Sequence, residues 1–338
     1  MTKHIINPRK AVTMSYILRR LGFYALAAWV SITLNFFLPR FMPGNPGDAI
    51  MARLQGRVQP ETIEAMEKAY GLSDAPLPQQ YFDYLTNILR GEFGIAISAF
   101  PTPVTDIILT SLVWTLILGL TATIVAFVVG NLLGIFGAWK RGGMVDSVMP
   151  PLMIFIGSFP YFWLATLGLF FMGFQWGWFP LRHAYGTDIS PAWSLDFVGN
   201  VLLHLVLPAA SLVLVAIGGW VLGMRNTMIS TLSEDYVTMA EAKGLPQRRV
   251  MFNYAARNAL LPNLTAFGMQ LGFILGGALL TEVVFSYPGL GYQLLGAVRN
   301  LDYPLMQGIF LMITFSVLGA NLIVDLLYVR LDPRVRGS

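Results

Sequence analysis

Residues able to do covalent or metal chemistry are sparse in this 338-residue chain. There is no cysteine, which removes disulfides, thiolate ligands and thiol redox chemistry. His4, His183 and His204 are too dispersed to suggest a metal site or a proton relay. Gly137 to Gly143 supplies the glycines of a phosphate-binding loop but lacks the Lys-Ser/Thr pair that must follow them to hold terminal phosphates and magnesium. Ionisable residues at membrane depth are functional candidates by default. Glu282 and Asp325, however, fall near the ends of apolar runs, where they are expected to reach water, and His204 lies within a turn of the start of another. What remains is binding chemistry, and its best candidate is the punctuated segment Arg225 to Pro262, too long for a simple turn between neighbouring helices.

Within that segment Ser233 is an N-cap candidate and Glu234 and Asp235 place negative charge on a first helical turn. Lys243 sits in the last turn, and Gly244 with Pro246 stops the helix. Tyr236, Met239, Ala240 and Lys243 share one face of it, and a second helical stretch, Gln247 to Leu261, is expected to end at Pro262. So short a helix must bury its small apolar face against something, either the bilayer or a groove in a partner. Arg248 and Arg249 suit lipid headgroups, but an interfacial helix carries Trp, Phe and Leu on a broad apolar face. This one offers Tyr, Met and alanines, which favours a protein groove.

The elements that position this segment are read from composition. The chain is 55% hydrophobic and only 12% charged, against roughly 25% charged in a soluble domain. That excludes a soluble globular enzyme, a disordered chain and a coiled coil, and a net charge of +4 gives no footprint for nucleic acid. Six uncharged apolar runs approach the ~20 residues a bilayer span requires: Leu21–Leu38, Leu112–Trp139, Val148–Gly173, Val201–Gly223, Leu264–Val284 and Leu305–Val329. The third carries Pro150, Pro151 and Pro160 and is expected to be kinked or to start late. The first has no room for a signal-peptide core between Arg20 and Ala25 and reads as an uncleaved anchor. Placing the N-terminus in the cytoplasm puts most of the 22 lysines and arginines on that side, so both termini are expected there.

The expected organisation is an all-α membrane protein of six transmembrane helices. A tail (1–20) precedes span one (21–40), an external helical subdomain (41–111), a five-span core (112–329) containing the loop 225–262, and a second tail (330–338). In the external part Ile63, Met66 and Tyr70 follow helical spacing up to Gly71, and Tyr81–Leu89 reads as a second short helix after Pro78; it is either a cap over the spans or a docking surface. Gly268, Gly272 and Gly276, Gly219 and Gly223, and Gly130 and Gly134 form small-residue ladders suited to close helix contact, within one subunit or across to a second. Asn263 and Gln270, polar positions in the fifth span, are candidates to face a translocation path.

The segment Asp235-Tyr236-Val237-Thr238-Met239-Ala240-Glu241-Ala242-Lys243-Gly244-Leu245, followed by Arg257-Asn258-Ala259-Leu260-Leu261-Pro262, resembles the EAA loop of bacterial ABC importer permeases, more closely the dipeptide and oligopeptide family. Met42-Pro43-Gly44-Asn45-Pro46 is similar to that family's turn after the first span. Val284 to Gly291 with Asp302-Tyr303-Pro304 to Gln307-Gly308 resembles its last external loop, and Asp325-Leu326-Leu327-Tyr328 with Leu331-Asp332-Pro333-Arg334 its C-terminal signature. Thr238, Met239 and Ala240 stand at the positions that name the motif, so its glutamate is absent, and Asn45 replaces the usual aspartate.

The resemblance implies a type I importer permease fold, with Tyr236, Thr238, Met239, Ala240, Glu241, Ala242, Lys243 and Gly244 coupling the chain to an ATPase. It implies two cytoplasmic ATPase subunits that bind the ATP and magnesium, a homologous second permease in a heterodimer, an external substrate-binding protein, and a multi-pass place in a bacterial or archaeal inner membrane. No cofactor, metal or catalytic residue is expected in the chain itself. Peptides are the commonest cargo of such permeases, with oligosaccharides and chelated nickel also carried. A self-sufficient secondary transporter is the alternative; it would need intramembrane charges and an internal repeat, which the sequence does not display.

Overall fold

The computed structural model describes residues 8–41 and 75–331, and among these the chain is helical, its only β feature an isolated bridge between Ile95 and Pro103. The α-helices of six residues or more are α1 (Pro8–Phe37), α2 (Leu77–Arg90), α3 (Val104–Trp139), α4 (Met144–Gly157), α5 (Tyr161–Gly168), α6 (Leu195–Leu232), α7 (Asp235–Ala242), α8 (Arg257–Gly272), α9 (Leu279–Val284), α10 (Leu290–Arg299) and α11 (Tyr303–Leu331). Wider π-helical turns extend α5 over Leu169–Gln175 and precede α8 over Val250–Ala256. Four helices are individually long and apolar enough to cross a bilayer, and two bent pairs raise the number to six if each is one span. Helix α3, with 36 residues, is about 54 Å long at ~1.5 Å per residue, well beyond the ~30 Å hydrocarbon core. The helix expected over Ile63–Tyr70, the turn at Met42–Pro46 and the tail beyond Leu331 lie outside the described residues.

Proline placement explains where the third run breaks. Pro150 and Pro151 lie inside α4 without ending it, whereas Pro160 stands at the start of α5, and the two helices meet at 94°. The difference is positional: a proline before a new helix forfeits no interior hydrogen bond and fixes the entry φ. Pro262 likewise does not end a helix, contrary to the sequence expectation; α8 runs through it to Gly272. One missing N–H removes one bond from a helix whose neighbouring turns still pair, and the exposed Pro262 ring is accommodated within it.

Two compact units can be distinguished, residues 1–113 with 292–338, and residues 114–291. In the first, α1 packs along α11. The Tyr24 hydroxyl donates to the Asp325 carboxylate at 2.6 Å and Arg20 lies 3.0 Å from the same oxygen. The Asn35 amide donates to the Gln307 carbonyl at 2.9 Å and to the Tyr84 hydroxyl at 3.0 Å. Phe36, fully buried, meets the rings of Tyr81 and Tyr84, and the Arg40 guanidinium stacks 3.5 Å over its face. These contacts fasten α2 to the end of α1, and burial there pushes the Tyr84 phenol up and holds Arg40 below its ordinary value. Asp302 caps α11, accepting from Leu305 N–H at 3.1 Å and from Ser98 N–H and Oγ–H at 2.7 and 2.6 Å.

In the second unit glycines set the helix spacing. A methyl group at Gly134 would stand 2.7 Å from the Val221 carbonyl oxygen, and one at Gly130 would stand 3.1 Å from that of Ile217, so α3 and α6 approach backbone to backbone. For this pair the ladder serves packing within the chain. Gly219 and Gly268, by contrast, have open space where a side chain would begin.

Candidate functional site

Helix α7 follows α6 after a two-residue break and is only 8 residues long, too short to persist on its own. Its start differs from expectation. Ser233 closes α6, its hydroxyl donating to the Ser230 carbonyl at 2.7 Å, and the N-cap of α7 is Glu234, which makes no side-chain capping bond. Its end is a Schellman closure: Gly244 N–H donates to the Glu241 carbonyl at 2.8 Å and Leu245 N–H to the Ala240 carbonyl at 3.4 Å. Gly244 adopts φ of 73° with free space around it, so glycine is required here by backbone conformation rather than by crowding.

The buried stripe of α7 is Val237 and Ala240. They join one core with Ile135 and Ala138 of α3, Met224 and Met228 of α6, and Val250, Met251, Ala255 and Ala256 of the π-helical turns, with Leu245 packed at its edge. Burying Val237 contributes about 1.5–3 kcal/mol to holding α7 in place. Tyr236, Thr238, Met239, Glu241, Ala242, Lys243 and Gly244 are all exposed, with Met239 59% and Tyr236 38% accessible. Ala240, grouped with the outward face in the sequence reading, instead lets α7 approach its own core closely. The missed signal was the Val237–Ala240 pair at i, i+3 with Leu245 just beyond the glycine. Tyr236 is steadied by Asn258, whose amide donates to its hydroxyl at 2.9 Å. Seven residues before the end of α6, Arg225 pairs with Asp146, which also accepts from Gly142 N–H at 2.9 Å, tying the α3–α4 turn to α6. The arrangement presents a mixed apolar and charged surface backed by the chain's own core.

In the same unit, α3, α5, α6 and α8 line a half-open cavity of about 180 Å³ whose walls include Ala122, Thr123, Tyr161, Ala216, Trp220 and Gln270. Gln270 is exposed on its wall. Asn263 is elsewhere: it is buried, its amide donating to Asn131 Oδ1 at 2.7 Å, and a methyl at Gly223 would stand 2.8 Å from its Oδ1. It joins helices α8 and α3 rather than lining the cavity.

Glu282 departs from its expected contact with water. It is fully buried, accepting from the Thr115 hydroxyl and from Gly291 N–H, each at 2.7 Å, while Thr115 in turn accepts from Leu290 N–H at 2.8 Å. The loop 285–291 is thereby folded around a carboxylate, with the Tyr287 phenol alongside pushed up, chiefly by burial. The sequence signal was an acidic residue at the end of an apolar run followed by Gly289-Leu290-Gly291, the glycines that bring backbone close to it. Asp325 meets Arg20 and Tyr24, and His204 Nδ1 lies 2.9 Å from the Asn200 carbonyl oxygen one turn back. Among the described residues no group of His, Asp or Glu is arranged to hold a metal.

Residues 130–337 match the family described as binding-protein-dependent transport system inner membrane component. The chain is 35% identical over 336 residues to the di/tripeptide transport system permease protein DppB of Pseudomonas aeruginosa, the match covering 96% of this chain and 99% of the relative. It is 35% identical over 342 residues to the dipeptide transport system permease protein DppB of Escherichia coli K12, with the same coverage. With the oligopeptide transport system permease protein AppB of Bacillus subtilis it shares 31% identity over 324 residues, covering 95% and 99%.

Proposed function

Since the chain belongs to the inner membrane components of binding-protein-dependent transport systems, we propose that it is the permease through which an ABC importer carries short peptides, with α7 as the helix that receives the ATPase stroke. Membership makes it a transport subunit, ATP hydrolysis residing in separate subunits of such systems. The cargo rests on the relatives, whose names specify di- and tripeptides, dipeptides and oligopeptides. The coupling role rests on one observation: α7 is held by Val237 and Ala240 in its own chain's core while Tyr236 and Met239 stand exposed beside that stripe. An exposed Tyr and Met on a pre-ordered helix suit a groove, because the ordering cost is met before the partner arrives. In this reading Tyr236, Thr238, Met239, Glu241, Ala242 and Lys243 touch the ATPase, and Ala240 and Gly244 hold the helix in the shape it needs. Two ATPase subunits bind the ATP and magnesium, a homologous second permease completes the path, an external binding protein delivers the peptide, and both termini face the cytoplasm. Gln270 lines the path, and Asn263 fixes the helix that carries it.

The test is co-purification. Replacing Met239 with Glu puts a charge at the centre of the exposed face without touching the core, and should release the ATPase and abolish peptide-stimulated hydrolysis while the permease remains in the membrane at its normal level. Unchanged assembly and unchanged stimulated hydrolysis would show that α7 is not the docking element.

A further inference from the structure

The half-open cavity between α3, α5, α6 and α8 has a composition that docking and energy coupling do not explain. Its walls carry no Asp, Glu, Lys, Arg or His; they are aliphatic and aromatic apart from the hydroxyls of Thr123 and Tyr161, the indole of Trp220 and the carboxamide of Gln270. Some helical threonines bond back to the carbonyl one turn earlier, as Thr110, Thr227 and Thr265 do at 2.8, 3.0 and 3.2 Å, and others do not, the Thr281 hydroxyl being buried without a partner. Thr123, near the middle of α3, makes no such bond, and the Gln270 side chain also has no hydrogen-bond partner among the described residues. Polar groups in membrane-spanning segments are normally satisfied, since each one left unpaired in hydrocarbon costs free energy. Two uncommitted groups beside one cavity are therefore available to a ligand.

We propose that this cavity is a neutral side-chain subsite on the transport path, taking an apolar or aromatic side chain of the peptide in transit while Gln270 and Thr123 hydrogen-bond the peptide's own amide groups. The proposal rests on the reading of the chain as a peptide permease. The volume suffices: ~150 Å³ of apolar space accepts a benzene molecule, and this half-open cavity offers about 180 Å³. A charged side chain would exchange its hydration for an uncharged wall and be disfavoured there. A lipid acyl chain would fill the apolar part but leave Gln270 and Thr123 unsatisfied, whereas a peptide supplies both a donor and an acceptor beside its side chain.

The experiment uses the assembled importer in proteoliposomes, with its partner permease, ATPases and binding protein, and follows uptake of labelled Ala-Ala, Ala-Ala-Ala, Ala-Phe and Ala-Phe-Ala. Ala216 is exposed on the cavity wall, so Ala216→Leu fills existing space; Leu212→Ala enlarges the same cavity. Ala216→Leu should lower the uptake of Phe peptides relative to Ala peptides by about tenfold, the discrimination an apolar pocket gives for a few carbon atoms, and Leu212→Ala should shift the ratio the other way. The affinity of the binding protein for each peptide, measured separately, should be unchanged. A wild-type importer that carries both peptide classes, with a ratio unmoved in both variants, would overturn the subsite and leave the peptide reading standing. So would an equal loss of both classes, which marks a packing void, or a ratio that follows only the acyl-chain length of the vesicle lipid. A wild-type importer that carries none of the four peptides would overturn the peptide reading, and the subsite with it.

Discussion

The most demanding consequence of the structure concerns Gly289 and Glu282. The backbone of Gly289 passes so close to the Glu282 carboxyl that a methyl group there would overlap its carbon and both oxygens. Gly289→Ala therefore cannot be accommodated unless the carboxylate leaves the position in which it accepts from Thr115 and Gly291. Glu282→Ala removes the acceptor directly. In either case two buried donors are orphaned, at about 1–3 kcal/mol each, so each single substitution should cost about 2–6 kcal/mol. With roughly 2 °C of midpoint per kcal/mol in a chain of this size, thermal unfolding of the detergent-solubilised importer should fall by about 4–12 °C. The double variant is the decisive case. Without the carboxylate the Gly289→Ala methyl has room, and the double variant should be hardly less stable than Glu282→Ala alone, giving a coupling of about 2 kcal/mol or more. Two contributions that add to within about 0.5 kcal/mol, as independent sites do, would show that the loop is not organised on the carboxylate.

Other substitutions follow from the same geometry. Gly244→Ala, which forces a side chain onto a φ of 73°, should cost about 1–2 kcal/mol and loosen the end of α7, lowering recovery of the ATPase with the complex, while Gly244→Asn should be milder. Arg225→Ala should lower the unfolding midpoint by leaving Asp146 without its partner, and exchanging the two charges in the double variant should restore part of it; no recovery would mean that the pair is incidental. Asn263→Ala should lose about 0.6–1.7 kcal/mol of helix contact, read as a lower midpoint, with unchanged preference among peptides; a change in preference would place it on the path after all.

Spans were legible in the sequence because hydrocarbon imposes a length and a charge limit that few other environments do, and each expected run falls on a helix or a bent pair. The break in the third span was legible as a kink from its prolines, but which proline acts depends on where a new helix can begin, and Pro160 rather than Pro150 or Pro151 is preceded by a helix end. At α7 the glycine stop and the helix length were readable from local chemistry. The buried side was not, since Val237 and Tyr236 are both plausible core residues until α3, α6 and the π-helical turns are brought together around one of them. Glu282 was misjudged because distance from the end of an apolar run measures depth along the chain and carries no information about a loop folding back over it. Asn263 and Gln270 look alike in sequence, seven residues apart on one helix. Only the position of Asn131 separates a side chain that ties helices from one that lines a cavity.

The two sides of α7 answer to different masters. Val237 and Ala240 must suit this chain's own interior, so a change at either is a fault in folding. Thr238 and Met239 are exposed, and they can change at no cost to the fold. A substitution at Thr238 or Met239 falls on the side of the helix that is free to vary, and the inward residues, which have no such freedom, keep the helix in being.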